Sequence, residues 1–458
     1  VKDYEAIAAH VVRDHDLPAA AAAAVGTFLL DTLGVGIAGS SGAGVEALIG
    51  LARAWGPGDE ATVWLTGERM SAGSAAIVNA YMIHCLEFDC VHEGAVLHPM
   101  ATILSAVLAW AEREAVRGRR RVRGADLIPA LAVGVDVSTM LGLVTDAPIR
   151  FFRPATAGGF GAAAAIARLA GLDARGVMDT LGAQYAQVAG TLQPHAEGSP
   201  MLGMQVGFNA RAAIQSADLA AAGFRGPHDI FTGQYGYLKL YEMDDHDLPG
   251  FLPSLGRDWQ IGAMSHKPYP SGRLTHGVVD GLGQLMRRHG FAARDVVAVR
   301  AEVPPLVHRL VGRPDMAAPE ANYAKLCLRF VAGVFLARGR VDVPDFRGEA
   351  LRDPAVHLFA AMVDVVLDGN PDQNALDPQR ISVRLADGRE HAIVLPHVYG
   401  HPAVPLSGAE NEEKFRRCCG YGRIALPGDR VEALIAAVGG LDGIEDVAGL
   451  VRLTLGEG

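Results

Sequence analysis

From Pro18 to Gly39 the chain reads PAAAAAAVGTFLLDTLGVGIAG, and Asp31 is its single charged residue. A helix apolar on every side cannot face water, so it must lie in a protein core or in a bilayer. A second stretch of the same kind, 127–144, is broken by Asp136. Both are rich in Ala and Gly and both carry an acid, which suits buried core helices better than membrane spans. Their length also demands a large surrounding core, and 458 residues, half of them apolar, can build one.

Helical signals continue well past these stretches. Residues 4–38 read as helix, with Pro18 suited to a first-turn position before AAAAAAVGTFLLDTLGVGIAG, and 43–55, 125–144 and 205–222 follow, the last stopped by Gly223. A glycine turn, GGFG at 158–161, is expected to open another helix over 158–172. Up to about residue 255 no convincing strand is present. The texture then changes. VVAVRAEV at 296–303 has a strand bias, and RISVRLADGREHAIVLP at 380–396 alternates on both sides of Asp387-Gly388, predicting a hairpin with a type I′ turn. Residues 322–338 and 354–367 look helical, and 408–458 returns to helix with a possible short strand at 449–455. The expected fold is mainly α with α+β: a large all-helical domain from 1–255 and 404–458, and a smaller α+β lid from 256–403.

The net charge of −10 gives no support for nucleic-acid or anionic-membrane partners. RRRVRG at 119–124 reads as a solvated basic turn. Five cysteines with no CxxC spacing point to a reducing compartment. The opening VKDYEAIAAHVV carries no signal-peptide pattern, so a cytoplasmic location is expected.

Two stretches carry the chemistry. Asn79–Ala101 packs His84, Glu87, Asp89, Cys90, His92, Glu93 and His98 between apolar helices. His84 and Glu87 stand three apart, one face of a helix, and Pro99 biases His98 out of the helical region. The spacing matches no metal motif, since His92-Glu93 is followed by Gly-Ala-Val, so acid–base use is favoured over a metal. The second stretch, SHKPYPSGRLTHG at 265–277, holds His266, Lys267, Tyr269, Arg273 and His276 on a proline-stiffened backbone. It lies where helical texture gives way to α+β, a place where clefts form. Two glycine motifs are weaker. GVGIAG at 34–39 lies in an apolar helix and follows no strand, so close helix packing explains it better than a dinucleotide site. The GGFG turn, with Gly159, could cradle an anion beside Arg150 and Arg153 or could be simple chain geometry.

Taken in order, LLDTLGVGIAG (29–39), NAYMIHCLEFDCVHEGAVLHPMATILSAVLAWAE (79–112), GGFGAAAAIARLAGLD (158–173), GFRGPHDIFTGQYGYLKLY (223–241), KPYPSGRLTHGVVD (267–280) and NEEKF (411–415) resemble the MmgE/PrpD family of dehydratases, decarboxylases and epimerases over nearly the whole chain. The resemblance implies a helical domain built from both termini, a smaller lid, a homodimer, and cofactor-free chemistry, usually without metal, on small di- or tricarboxylates in a cleft between the domains. The family's H-x-x-D-F-D-D-T reads here as His84, Glu87, Phe88, Asp89, Cys90 and Val91, and its His-Pro is His98-Pro99. Arg153 aligns with a family His, Leu202 with a Lys, and Phe330 with a Tyr of the decarboxylases.

All these reactions start at a carbon beside a carboxylate, which needs a base on the carbon and a cation on the acid. The loss of polar groups from the dehydratase and decarboxylase patterns points to an epimerase of an iminodisuccinate-like substrate. His98 and Lys267 would then carry protons on opposite faces, and Glu87 or Asp89 would orient His98. Arg153 and Arg273 would hold carboxylates, with His84, His266, Tyr269 and Gly159 completing the substrate site. A dehydratase, a decarboxylase and a non-catalytic polycarboxylate-binding protein are the alternatives.

Overall fold

The structure is a computed structural model that describes residues 2–456. A short helix, Asp3–Val12 (α1), precedes the apolar run, which folds as one helix, Ala19–Gly39 (α2). The single helix expected over 4–38 is therefore two, because Pro18 disfavours helical backbone at the residue before it and becomes the N-cap of α2. Val45–Trp55 (α3) follows, then a pair of two-residue antiparallel strands, Ala61–Thr62 (β1) and Arg69–Met70 (β2). Next come Ala72–His84 (α4), Pro99–Val116 (α5), Gly124–Leu143 (α6), Arg153–Ala170 (α7), Ala174–Tyr185 (α8), Gln193–Glu197 (α9) and Met201–Ala221 (α10). Two short helices, Tyr237–Tyr241 (α11) and Leu248–Phe251 (α12), complete this helical part.

Helices α2, α4, α5, α6, α7 and α10 pack on one another, and small residues set how closely. GVGIAG is the second half of α2. A Cβ at Gly36 would lie 2.7 Å from the Trp64 ring, and one at Gly39 would collide with the Met82 backbone. Gly36→Val is accordingly expected to cost roughly 1–3 kcal/mol of stability by overpacking, read as a lower urea midpoint at unchanged slope. GGFG likewise lies inside α7 and does not open it. Gly158 faces Thr102, Gly159 faces Gln184 and Asn209, and Gly161 faces the backbone of Gly134. The anion cradle is thereby corrected to a helix-packing face. Helices α2 and α6 are long and apolar enough to cross a membrane, but 67% and 78% of their most apolar windows are buried inside this packing.

The second part begins with His276–His289 (α13) and Val296–Val303 (β3), followed by Pro305–Val311 (α14), Ala321–Lys325 (α15), Leu328–Arg338 (α16), Pro354–Ala360 (α17), Val363–Leu367 (β4), Gln379–Leu385 (β5) and Glu390–Leu395 (β6). Four strands form one sheet in the order β4-β3-β5-β6, parallel between β3 and β4 and antiparallel elsewhere. Alternate residues of β5 are buried, and Gly281 lets α13 lie directly on Ile381. The expected helix over 354–367 is half helix and half strand, since β4 pairs with β3. The hairpin stands, but its turn is not type I′. Gly388 has φ +87° while Asp387 is not left-handed, and Leu385 accepts from the Gly388 N–H. That is a type I turn closed by a glycine bulge.

Gly408–Gly420 (α18), Gly428–Gly439 (α19) and Ala448–Leu453 (α20) return to the helical part, with α18 and α19 against α2. The possible strand at 449–455 is helix, α20. Two hydrophobic cores result. One runs from Ile7 to Met264 and is closed by Phe415 to Val451; the other spans Leu274 to Leu385 together with Ile149.

Candidate active site

Helix α4 ends at His84, and residues 85–98 cross the protein without helix until Pro99 starts α5. His84 and Glu87 do not share a helical face. Glu87 lies one turn beyond the end of α4 in the left-handed region, φ +52°, and this bend still brings its Oε1 to 3.5 Å from His84 Nε2. The segment is then tied to the second polar stretch. Val91 donates its N–H to the Ser265 carbonyl at 3.0 Å and accepts from the Ser265 N–H at 2.7 Å. Lys267, two residues further on, is thereby placed against Glu87, Nζ to Oε2 at 3.0 Å, and 3.8 Å from Asp89 Oδ1.

Asp89 is the hub. Its Oδ2 lies 2.9 Å from His84 Nδ1 and 3.3 Å from His98 Nδ1, and the two imidazoles meet edge to face at 5.1 Å. Since Nδ1 of His98 is turned to Asp89, Nε2 is the nitrogen left for a substrate. Burial would raise Asp89, but His84, His98 and Lys267 outweigh it and hold the carboxyl well below its usual value. Glu87 is likewise held down, at about 2, because Lys267 and the two histidines overcome its burial. The histidines diverge. Burial opposes charge on His84, yet Asp89 and Glu87 raise it above the ordinary value. Burial and then Lys267 push His98 below it, with Asp89 offsetting only part.

His84, Glu87 and His98 line a narrow cleft whose walls come from both cores. Arg273 also lines it, from the turn before α13, with Nε on Glu93 Oε1 at 2.8 Å and its other nitrogens donating to the carbonyls of Tyr399 and Val398. Asp89 and Lys267 sit behind the lining, completely buried.

The remaining expected site residues lie elsewhere. Arg153 opens α7 but is fixed in a buried bidentate pair with Glu242, at 2.9 and 2.7 Å, and donates its third nitrogen to the Ala95 carbonyl. It does not reach the cleft, so its expected role as a carboxylate holder is corrected to an internal ion pair. His266 stacks near Phe28 and is lowered to about 4, chiefly by burial. It belongs to the region where Lys414 pairs with Asp31 at 2.6 Å and donates to the Phe88 carbonyl at 2.9 Å, bracing the residue before Asp89. Tyr269 packs on His276 and opens into a different surface hollow with Asp280 and Glu410. Gly159 is interior to α7, as above. Phe330 is in the second hydrophobic core and does not line the cleft.

The cleft is also lined by Glu93, His195, Leu310 and Gly272, to which the sequence assigns no role in the site. They come from four separate segments, and no periodicity connects them. His84, Asp89 and His98 offer ligand atoms within 4.8 Å of one another and could hold a metal ion. The Lys267 ammonium already supplies positive charge to Asp89 and Glu87 from the buried side, so the donor set fits an acid–base cluster better than a cation cage. A second set, Asp377, His397 and His401, does not line the cleft.

Comparison with known proteins agrees over most of the chain. The family model for the MmgE/PrpD N-terminal domain matches residues 6–247, and that for the MmgE/PrpD C-terminal domain matches 269–437. Cis-aconitate decarboxylase of Homo sapiens is 28% identical over 452 residues, covering 93% of this chain and 89% of that protein. A cis-aconitate decarboxylase-like protein, oryM, of Aspergillus oryzae is 26% identical over 467 residues, covering 97% of this chain and 95% of that one.

Proposed function

Since this chain belongs to the MmgE/PrpD family and is an enzyme of that type, we propose that it is a lyase that eliminates water across a carbon–carbon bond next to a carboxylate, with His98 as base and His84 as acid. The observation that carries this is the pair itself. Two imidazoles share Asp89 and line one cleft, yet their surroundings shift them in opposite directions, His84 up and His98 down, which is how acid and base roles are divided. His98 Nε2 takes the proton from the carbon beside the carboxylate. The electron pair left behind forms the double bond as the neighbouring C–O bond breaks, and His84 gives its proton to the departing hydroxyl. Arg273 has two N–H bonds beyond the three already engaged and can hold the carboxylate as charge builds on it. Asp89 steadies both rings, and Lys267 with Glu87 balances the charge behind them.

The iminodisuccinate-like epimerase loses its supports. Exchange on two faces needs carriers on opposite walls, whereas His84, His98, Glu87 and Lys267 gather around Asp89. Lys267 is covered by Glu87, and Arg153 is engaged elsewhere. Decarboxylation remains the second reading, favoured by the names of the relatives; there a protonated His98 would deliver its proton to the carbon that loses carbon dioxide.

Proton NMR in heavy water separates these outcomes. Conversion of a 3-hydroxy acid to its unsaturated product, with deuterium entering the carbon beside the carboxylate in the reverse direction, is expected. Release of carbon dioxide would select the second reading, and exchange without net conversion would restore an epimerase. The pH dependence is a further expected result. Neutral His98 is needed, so kcat/KM falls as pH drops through its lowered value, below the ordinary 6.5; protonated His84 is needed, so kcat/KM also falls as pH rises through its raised value, above 6.5. A bell with limbs on either side of 6.5 is expected, and His98→Asn removes the acid limb.

A further inference from the structure

We infer that the substrate is an acid with one carboxylate at the reacting end and an apolar chain behind it, not a compact tri- or tetracarboxylate. The inference rests on the cleft being the reaction site proposed above, and it concerns what the rest of that cleft can hold.

Of the nineteen lining residues, twelve are apolar. They are not confined to one wall: Leu192 and Leu202 come from the helical part, and Leu310, Val311 and Leu376 from the part that carries the sheet. The charge in the lining is equally telling. Arg273 is its only Arg or Lys, already paired with Glu93, and Glu87 is a second carboxylate. His195, the remaining polar group of size, is pushed down to about 4 by burial and by Arg313, so it adds no positive charge at neutral pH. Each carboxylate moved out of water needs a counter-charge or several donors. One can be met at Arg273 and His84. A second and third would face leucines, valines and two carboxylates whose cations, Lys267 and Arg273, are already engaged. An alkyl or alkenyl chain in the same place gains about fourfold in affinity for each buried methylene.

Leu202 and Leu310 mark the position most clearly, because they face the cleft from the two parts of the fold. A lysine at either would supply the missing counter-charge. Leu202 is buried, whereas Leu310 is half-buried, so the second change is the gentler one for folding.

Calorimetric titration of the protein and of its His98→Asn variant tests this by binding, independent of turnover. The probes are straight-chain 2-enoic and 3-hydroxy acids from four to ten carbons, set beside citrate and cis-aconitate. Affinity is expected to rise about fourfold per methylene until the cleft is filled, with citrate and cis-aconitate at least tenfold weaker than the chain acid that fills it. Leu310→Lys and Leu202→Lys, each checked for native circular dichroism, are expected to flatten the chain-length series and to tighten the polycarboxylates. Affinity independent of chain length, or citrate and cis-aconitate binding more tightly than every chain acid, overturns the inference even if water elimination is confirmed. Conversely, the chain-length series with no elimination from any bound acid would sink the lyase proposal and leave the substrate class standing.

Discussion

His98→Asn is expected to lower kcat about 10²- to 10⁴-fold, the usual contribution of a positioned proton carrier, with little change in unfolding free energy. His98 is the N-cap of α5, a position that asparagine fills as well as any residue. Its side chain lines the cleft, so the space given up by the smaller residue adjoins the cleft. Asp89 keeps its contacts to His84 and Lys267, and the cluster stays charge-balanced. The variant therefore separates chemistry from folding. Turnover within a factor of a few of the unaltered protein would remove His98 from the reaction and leave only a binding cleft.

Lys267→Met is expected to destabilise the protein by about 3–5 kcal/mol at neutral pH, the range for removing one partner of a buried ion pair. The Lys267 side chain has no exposed surface, and methionine matches its stem but leaves Glu87 and Asp89 without their shared cation. The loss has a predictable pH course. Glu87, ordinarily near 4.5, is held at about 2 in the fold, so its contribution is fully present above the unfolded value and disappears as pH falls through the folded one. The gap between the two proteins in urea unfolding is thus expected to be widest above pH 5 and to narrow below it. Adding Glu87→Gln to Lys267→Met should recover much of the loss at neutral pH, since the stranded charge is then gone. Equal stability of Lys267→Met and the unaltered protein would mean that the ammonium does not hold the site together.

What the sequence disclosed, and what it hid, follows from the range of the forces involved. The all-round apolarity of 18–39 identifies α2 as a buried helix, and the alternation around Asp387-Gly388 identifies the β5–β6 hairpin, because both patterns are local. GGFG reads as a helix opening because glycine serves turns and close helix packing alike; only α5, α6 and α10 lying against α7 decide. VDVVL after α17 is a short apolar run whose period cannot tell helix from strand, and its pairing with β3 settles it. The two polar stretches stand out by composition, but the bridge from Val91 to Ser265 that joins them spans the chain and leaves no local trace. Arg153 shows the same limit from the other side. Beside a glycine motif it reads as a free cation, and Glu242, far along the chain, occupies it. The apolar lining is hidden for a further reason: Leu202 and Leu310 are ordinary residues until two separate segments bring them into the lining of one cleft.

Surroundings shift His84 and His98 in opposite directions, and long-range ¹H–¹⁵N correlation spectra of the imidazoles, followed from pH 4.5 to 9 and assigned with His98→Asn and His84→Asn, measure this directly. The result expected is a His98 that titrates below pH 6.5 and a His84 that titrates above it. Two imidazoles titrating together near 6.5, or with the order reversed, would contradict it.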